Sequence, residues 1–282
     1  MVGRNEMSEM SVYFCKIVYK PQTTIYQRGY EQDIREVLNP DRTISRYGRT
    51  WRISKPIEYK ENYYVGKLGF MSLASEKKTY YDEKQKDFIE QAINSKQGHY
   101  VHWVIDLSTH LIAFDTKPPD IRYYSFIGAF KDLLDLYPDY NLTVEKILES
   151  SKFYEWAKTV DRITEFTANL RAPNPNFESR PKIIIDLLKD TNADFAKIRI
   201  SKEKGSGESL NTENTIKDLV KYGEDGYSTI VARGMLKTGK SKEYDSKREV
   251  PTDRVDIPSD ATKEKVWDYI IETLKRFENE RQ

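Results

Sequence analysis

The three histidines of the chain, His99, His102 and His110, lie in one short stretch together with the carboxylates Asp106 and Asp115. Histidine and carboxylate side chains are common ligands of transition metals, and a strand pair could bring His102 and His110 together. A metal site usually has three or four ligands with supporting hydrogen bonds. HxH, HExxH and CxxC spacings are absent from the sequence. The pattern therefore favours structural histidines, and we expect neither a metal nor a cofactor.

Residues 42–60 carry a local excess of positive charge, with aromatic residues between the charges. Six cations stand against the single acid Glu58. Cations neutralise phosphates and aromatic rings stack on bases, so this composition suits nucleic-acid binding. The alternative is a solvent-exposed segment whose arginines pair with acids elsewhere. The predicted contact residues are Arg46, Arg49, Trp51 and Arg52.

A second basic segment, residues 236–249, supplies the further candidate contacts Lys240, Lys242 and Arg248. It overlaps Gly234–Ser241, which meets the GxxxxGKS pattern of a phosphate-binding loop. That motif requires a following helix inside a parallel sheet. The sequence after it, KEYDSKREVPTDR, has no apolar helix face and contains a proline. A mobile basic hairpin tip is the better prediction.

Other catalytic patterns receive less support. A metal-dependent nuclease needs converging carboxylates; Asp106, Asp115 and Glu165 are the candidates, and turn or edge positions explain them equally well. A GxSxG nucleophile motif is absent. The only cysteine, Cys15, lies in an apolar strand pattern and is expected to be a small buried residue. No catalytic residue is predicted, and an enzyme is disfavoured.

The element pattern around this chemistry centres on residues 99–136. Residues 101–106 and 110–115 are two β-rich runs separated by a polar break, which predicts a hairpin. Residues 125–136 have the apolar stripe of a helix. We expect this hairpin and helix to form the centre of the core.

The rest of the chain mixes predicted strands and helices without a regular alternation. Strands are predicted at 11–20, 61–73, 162–171, 195–200 and 227–233, with an extended segment at 250–258. Helices are predicted at 24–38, 80–94, 143–150, 152–160, 181–189, 212–222 and from 262 onward. This order predicts an α+β fold of mixed, mainly antiparallel sheets with packed helices and an amphipathic C-terminal helix. A boundary near residue 138 divides it into predicted domains 1–138 and 139–282.

Composition limits the class of partner. The chain has 46 basic and 45 acidic residues in 282, so its global charge favours neither nucleic acid nor an anionic membrane. Apolar runs fall short of a membrane span, and MVGRNEMSEM lacks the apolar core of a signal peptide. With one cysteine, these features predict a cytoplasmic protein without membrane contact.

Three features of the plan resemble the RexA-type phage exclusion proteins and related bacterial and phage proteins. They are VHWVID…HLIAFD (101–115) followed by a proline-rich link and a helix; RITEFTANLRAPNPNF (162–177) followed by PKIIIDLLK (181–189); and the closing helix 262–278. The resemblance covers most of the chain. It implies DNA binding, self-association and defence against phages, and it assigns no individual binding residue.

These observations lead to one main function and two alternatives. The main prediction is a non-enzymatic nucleic-acid-binding protein, as a homodimer, in phage exclusion or defence. The first alternative is a subunit of a defence complex whose tyrosine-rich surface docks a partner effector protein, since the chain has 20 tyrosines. The second alternative is a metal-dependent nuclease.

Overall fold

The fold is that of a computed structural model, and it is described for residues 7–19, 29–60, 62–82, 86–140, 142–173, 186–188, 190–203 and 205–281. The strands are β1 Met7–Tyr19, β2 Thr43–Arg46, β3 Arg49–Ile53, β4 Ile57–Tyr59, β5 Tyr63–Asp82, β6 Asp87–Asp106, β7 Leu111–Asp115, β8 Leu142–Lys146, β9 Arg162–Arg171, β10 Phe195–Ser201, β11 Ser228–Met235, β12 Ser241–Asp245 and β13 Thr252–Pro258. The helices are α1 Tyr30–Val37, α2 Tyr123–Leu134, α3 Ser150–Thr159, α4 Thr215–Glu224 and α5 Lys263–Asn279. This arrangement confirms the α+β prediction.

The larger sheet has nine described strands in the order β13-β1-β7-β6-β5-β3-β2, with β4 also paired to β5 and β8 to β1. Its middle contains the predicted central hairpin, in which Trp103 pairs with Phe114 and Ile105 with Ile112. The carboxylate of Asp106 accepts the backbone N–H of Ser108 at 2.7 Å and so stabilises the connecting turn. The prediction of this hairpin is confirmed.

Helices cover both faces of the middle of the larger sheet, because the alternation of β6 and β7 sends apolar side chains to both sides. On one face, Trp103 and Phe114 pack with Phe126 and Phe130 of α2. On the other, Val104 and Ala113 pack in the same core as the apolar stripe of α5. That stripe is buried as predicted: Val266, Trp267, Ile270, Ile271 and Leu274.

The predicted helix at 80–94 is wrong. Residues 63–82 and 87–106 are two 20-residue strands, paired without a break from Tyr63–Asp106 to Asp82–Asp87. The apolar spacing of 80–94 suits a helix locally, but it also contains the β-favouring residues Tyr80, Tyr81, Phe88, Ile89 and Ile93. Once residues 63–72 pair with residues 97–106, extension of the same ladder satisfies the backbone polar groups of both segments. Tertiary pairing thus overrides the local pattern.

Two further helix predictions have different outcomes. The segment starting at Thr143 belongs to β8, which pairs with β1 from Tyr19–Leu142 to Cys15–Lys146; the prediction of a helix there is wrong for the same reason. The helix expected at 181–189 lies largely outside the described residues, although residues 186–188 are helical. The strand at 162–171 is confirmed as β9.

The smaller sheet has the strand order β10-β9-β11-β12. Its buried face carries the predicted row Phe166, Ala168 and Leu170, which packs with Phe153 of α3 and Leu219 of α4. Gly234–Ser241 spans the end of β11, a turn and the first residue of β12. This GxxxxGKS match is therefore a β-hairpin, which lacks the helix N-terminus that a phosphate-binding loop needs.

The predicted division at residue 138 stays a prediction. Strand β1 pairs with β8 and β13 as well as with β7, so the larger sheet draws strands from both sides of that position. The buried apolar residues of the smaller sheet form a separate core that also includes Val18 of β1.

Candidate nucleic-acid interface

The basic segment 42–60 forms the β2–β3 hairpin and β4 at one end of the larger sheet. Strand alternation sends successive side chains of β3 to opposite faces. Trp51 is fully buried and packs on Phe70 with ring centroids 4.9 Å apart. Arg52, the next residue, is exposed and makes no ion pair with any residue that the structure describes. Because an enclosed indole cannot stack on a base, we do not carry Trp51 forward as a contact.

Arg46 is held by an acid on the neighbouring helix. Its Nη1 lies 2.6 Å from Oδ2 of Asp132, and this hydrogen bond is the main cause of the raised pKa of Arg46. The guanidinium lies over Gly128, where a Cβ would approach it to 2.4 Å. Arg46 therefore acts as a clamp between β2 and α2, and its charge is already neutralised.

Arg49 keeps its charge but is partly engaged. Its Nη1 donates to the carbonyl oxygen of Asp120 at 3.1 Å, and its guanidinium lies 4.2 Å from the ring centroid of Phe70. A carbonyl leaves the positive charge without an ionic partner. Arg49 remains exposed and available to an anion.

The second predicted group lies on the smaller sheet, away from the β2–β3 hairpin. Lys242 donates to the hydroxyl of Thr159 at 2.8 Å, and Arg248 lies 3.6 Å from the carboxylate of Asp245. Lys240 is exposed in the β11–β12 turn, and its side chain makes no polar contact within the described ranges. The two predicted groups therefore belong to different sheets.

The structure instead assembles a group that the sequence reasoning missed. Tyr100 is 38% exposed, and two ammonium groups lie over its ring: Lys67 at 4.1 Å and Lys117 at 4.5 Å from the centroid. Neither lysine has an ion-pair partner in the part of the chain that the structure describes. With Arg52 they form a surface that we call the Tyr100 platform, defined as Arg52, Lys67, Tyr100 and Lys117.

Strand register places the members of the Tyr100 platform together. Arg52 pairs with Gly69, and Gly69 pairs with Tyr100, so the three residues form one row across β3, β5 and β6. A Cβ at Gly69 would lie 2.0 Å from the carbonyl oxygen of His99. Only glycine fits there, because the backbone of His99 and Tyr100 occupies the space that a side chain would take.

A buried hydrogen-bonded pair supports the platform. His102 and Asp115 are 5% and 4% exposed, and Oδ1 of Asp115 accepts the backbone N–H of His102 at 2.6 Å. The other carboxylate oxygen lies 3.1 Å from Nδ1 of His102. The His102 ring meets the rings of Tyr100 and Trp267 edge to face, at 5.4 and 6.2 Å. This pair holds β6, β7 and α5 together beneath the platform.

The three histidines have separate partners rather than a common site. His99 contacts Ser72 and Asp120, His102 contacts Asp115, and His110 packs against the ring of Tyr30. Within the described ranges, no group of three or more His, Cys, Asp or Glu side chains is placed to hold a metal ion.

The carboxylates considered for a nuclease are also engaged separately. Asp106 accepts N–H groups in its own turn, Asp115 holds His102, and Glu165 lies 2.8 Å from Arg199. The nuclease alternative stays a prediction.

His110 predicts a specific loss of stability in acid. Burial, together with the nearby Lys16, lowers the pKa of His110 from 6.5 to about 4, while Asp106 acts in the opposite direction. The unfolded chain therefore binds this proton first as the pH falls. The stabilisation is fully present above pH 6.5 and is lost as the pH falls through about 4, amounting to about 3 kcal/mol.

The measurement for His110 is urea unfolding between pH 7 and pH 4, for the wild type and for His110→Asn. Asparagine tolerates the positive φ of 62° at this position and does not titrate. We expect a shallower pH dependence in the variant. Parallel curves for the two proteins would contradict the prediction.

The sequence contained a weak signal for the Tyr100 platform. The alternation of β6 separates Tyr100 and His102 from Val101 and Trp103, which already places Tyr100 on a face with polar residues. Nothing in the sequence selected Lys67 or Lys117 as a contact, because neither lysine lies in a cluster of basic residues. Their proximity depends on the pairing of β5 with β6 and on the loop after β7.

Among the helices that the structure describes, none combines the length and apolarity needed to cross a bilayer.

Comparison with known proteins identifies the family. A search of curated proteins finds no match. A family model described as a domain of unknown function, DUF4747, matches residues 8–275, which include both sheets and most of α5. The chain therefore belongs to the DUF4747 family.

Proposed function

We propose that this protein binds nucleic acid through the Tyr100 platform. The observation that carries the proposal is an exposed aromatic ring flanked by the cations Lys67 and Lys117, with Arg52 in the same strand row. None of these cations is paired with an acid in the described part of the chain. The proposed interface therefore differs from the one predicted from the sequence. Of the four residues predicted in segment 42–60, Arg52 is a proposed contact and Arg49 lies at the edge of the interface. Arg46 and Trp51 have structural roles.

The chemistry of the platform suits a single strand. An unstacked base can stack on the Tyr100 ring when a lysine ammonium group moves from the ring to a neighbouring phosphate, which it neutralises. A duplex hides its base faces, so only the phosphate contacts would remain. We therefore expect single-stranded DNA or RNA to bind more tightly than duplex of the same length.

The biological setting is part of the same proposal. A role in phage exclusion or defence and a homodimeric state follow from the resemblance to RexA-type proteins, which is an argument by analogy. A cytoplasmic location is supported by the single thiol, Cys15, which is fully buried with its pKa raised by burial.

The test is an electrophoretic mobility shift with single-stranded and duplex DNA and RNA at two salt concentrations. The variant is the triple Arg52→Ala, Lys67→Ala and Lys117→Ala. We expect wild-type affinity to fall steeply with salt. The triple variant should lose about tenfold or more in affinity. For single strands, the slope of log affinity against log salt concentration should be less steep by about 2.

The matched control removes the same three charges from the smaller sheet: Lys240→Ala, Lys242→Ala and Arg248→Ala. If this control loses binding and the platform variant does not, the Tyr100 platform is not the interface. If the wild type shows no salt-sensitive shift with any of the four nucleic acids, the proposed function is wrong. Melting temperatures of both variants establish that each is folded.

A protein partner is the second candidate, and one observation favours it. Met71 is 54% exposed. It lies two residues after Gly69 in β5 and therefore on the same face as Tyr100, which pairs with Gly69. This face of the sheet end thus carries an exposed apolar side chain of the kind found in protein interfaces. A second copy of the chain or an effector protein would cover such a surface. Light scattering of the wild type and Met71→Lys would show a change of mass if the surface joins two copies.

A further inference from the structure

Among the described residues, one network of side-chain hydrogen bonds belongs neither to the hydrophobic core nor to the proposed interface. The hydroxyl oxygen of Ser72 lies 2.8 Å from Nε2 of His99, and Nδ1 of His99 lies 2.8 Å from Oδ2 of Asp120. The three residues come from β5, β6 and the loop after β7. Ser72 and His99 lie on the opposite face of the sheet from Tyr100, because His99 and Tyr100 are adjacent in β6.

The protonation pattern of this chain follows from its partners. A carboxylate only accepts hydrogen bonds, so Nδ1 of His99 carries the proton that it donates to Asp120. In the neutral ring, Nε2 is then the acceptor, and the Ser72 hydroxyl donates to it. This is the tautomer that a histidine needs in order to remove a proton from serine, with the aspartate holding the ring.

The surrounding contacts hold the three groups in place. The His99 ring stacks on Phe70 with centroids 5.0 Å apart and an interplanar angle of 20°. The loop that carries Asp120 is closed by two backbone hydrogen bonds between Lys117 and Ile121, at 2.9 and 3.0 Å. Arg49 donates to the Asp120 carbonyl oxygen and fixes that loop to β3.

The site is also reachable. The Asp120 side chain is 42% exposed, that of His99 is 14% exposed, and Ser72 is half-buried. A histidine that is hydrogen-bonded at both nitrogens, with a serine at one of them, is arranged to accept the proton of that serine.

We propose that Ser72 is a nucleophile that cleaves carboxylic esters, with His99 as general base and Asp120 as a positioning residue. The Ser72 oxygen attacks the ester carbonyl carbon while its proton passes to Nε2 of His99. Collapse of the tetrahedral intermediate breaks the bond to the alcohol oxygen, which takes that proton from His99. Water then attacks the acyl-serine with the same proton transfers, releasing the carboxylic acid and restoring the serine.

The first measurement is covalent labelling with a fluorophosphonate, which loses fluoride as it bonds to an activated serine oxygen. We expect mass spectrometry to place the label on Ser72 in the wild type, and none on Ser72→Ala. The matched control is Ser45→Ala, which removes an exposed β-strand serine on the adjacent β2–β3 hairpin. Its labelling should equal that of the wild type.

The second measurement is hydrolysis of p-nitrophenyl acetate and butyrate. His99→Gln should lower kcat on the order of 10²-fold or more, and Asp120→Asn should lower kcat with KM little changed. Asp120→Glu should restore part of the loss, which a merely structural carboxylate would not do. Melting temperatures check that each variant is folded.

Three outcomes would overturn the proposal: a wild type that takes up no label, a label that persists in Ser72→Ala, or ester hydrolysis that all the variants retain. These results can be told apart from those of the mobility-shift experiment, because the residues replaced in one experiment are not replaced in the other.

Discussion

Replacing Trp51 by alanine is expected to lower the free energy of unfolding by about 3–5 kcal/mol, the usual cost of removing a fully buried aromatic side chain. Trp51 is 0% exposed, and its ring packs on Phe70 in the core between the sheet and α2. Alanine would leave a cavity at the sheet end that also carries Arg52. Urea unfolding of the wild type and the variant at pH 7 measures this effect.

Trp51→Phe is the matched control for this experiment. The indole N–H of Trp51 has no hydrogen-bond partner among the described residues, so phenylalanine removes no polar contact seen there. We expect a loss of less than about 2 kcal/mol, since much of the ring volume is kept. At a temperature where all three proteins are folded, their affinities for nucleic acid should agree. Normal stability combined with lost binding in Trp51→Ala would instead restore Trp51 as a direct contact.

Replacing Asp115 by alanine is expected to lower the free energy of unfolding by about 2–4 kcal/mol, because two buried hydrogen bonds to its carboxylate are lost. The carboxylate is buried and accepts the backbone N–H of His102 at 2.6 Å, while its second oxygen lies 3.1 Å from the His102 ring. Alanine leaves that N–H without its acceptor and removes the group that orients the ring. Because the His102 ring contacts Tyr100 and Trp267, we also expect weaker nucleic-acid binding by the folded fraction.

Two variants calibrate the Asp115 result. Asp115→Asn retains an oxygen that can accept the His102 N–H, so it should lose less stability than alanine. Asp139→Ala removes an exposed carboxylate outside the sheet and should change stability by less than about 0.5 kcal/mol. Thermal and urea unfolding provide both values. Equal stability of Asp115→Ala and the wild type would show that the pair contributes nothing to the fold.

The candidate interface was predicted only in part. Charge and aromatic content pointed to the β2–β3 hairpin, and Arg52 there is exposed as that reasoning requires. Trp51 was chosen for its ring, yet strand alternation turns it into the core beside Phe70. Arg46 is paired with Asp132, which is 86 positions away in sequence. Composition indicates which residue types are present in a segment, but not which side of a strand each one takes.

Segments with strong periodicity were predicted well, because their apolar faces need only a partner surface of any kind. The hairpin 101–115, the row Phe166, Ala168 and Leu170, and the C-terminal helix all formed as expected. The errors at 80–94 and at Thr143 occur where a helical pattern lies next to a strand able to pair with it. Local sequence carries no information about that neighbour.

By itself, the sequence determined the α+β class, the central hairpin and the helices that bury it, since these follow from side-chain period and burial. Only the tertiary structure decided where chemistry can occur. Lys67, Tyr100 and Lys117 meet because of strand register and a loop, and Ser72, His99 and Asp120 meet for the same reason. Each group joins residues that are separated along the chain. Strand pairing across the whole sheet supplies the free energy that brings them together.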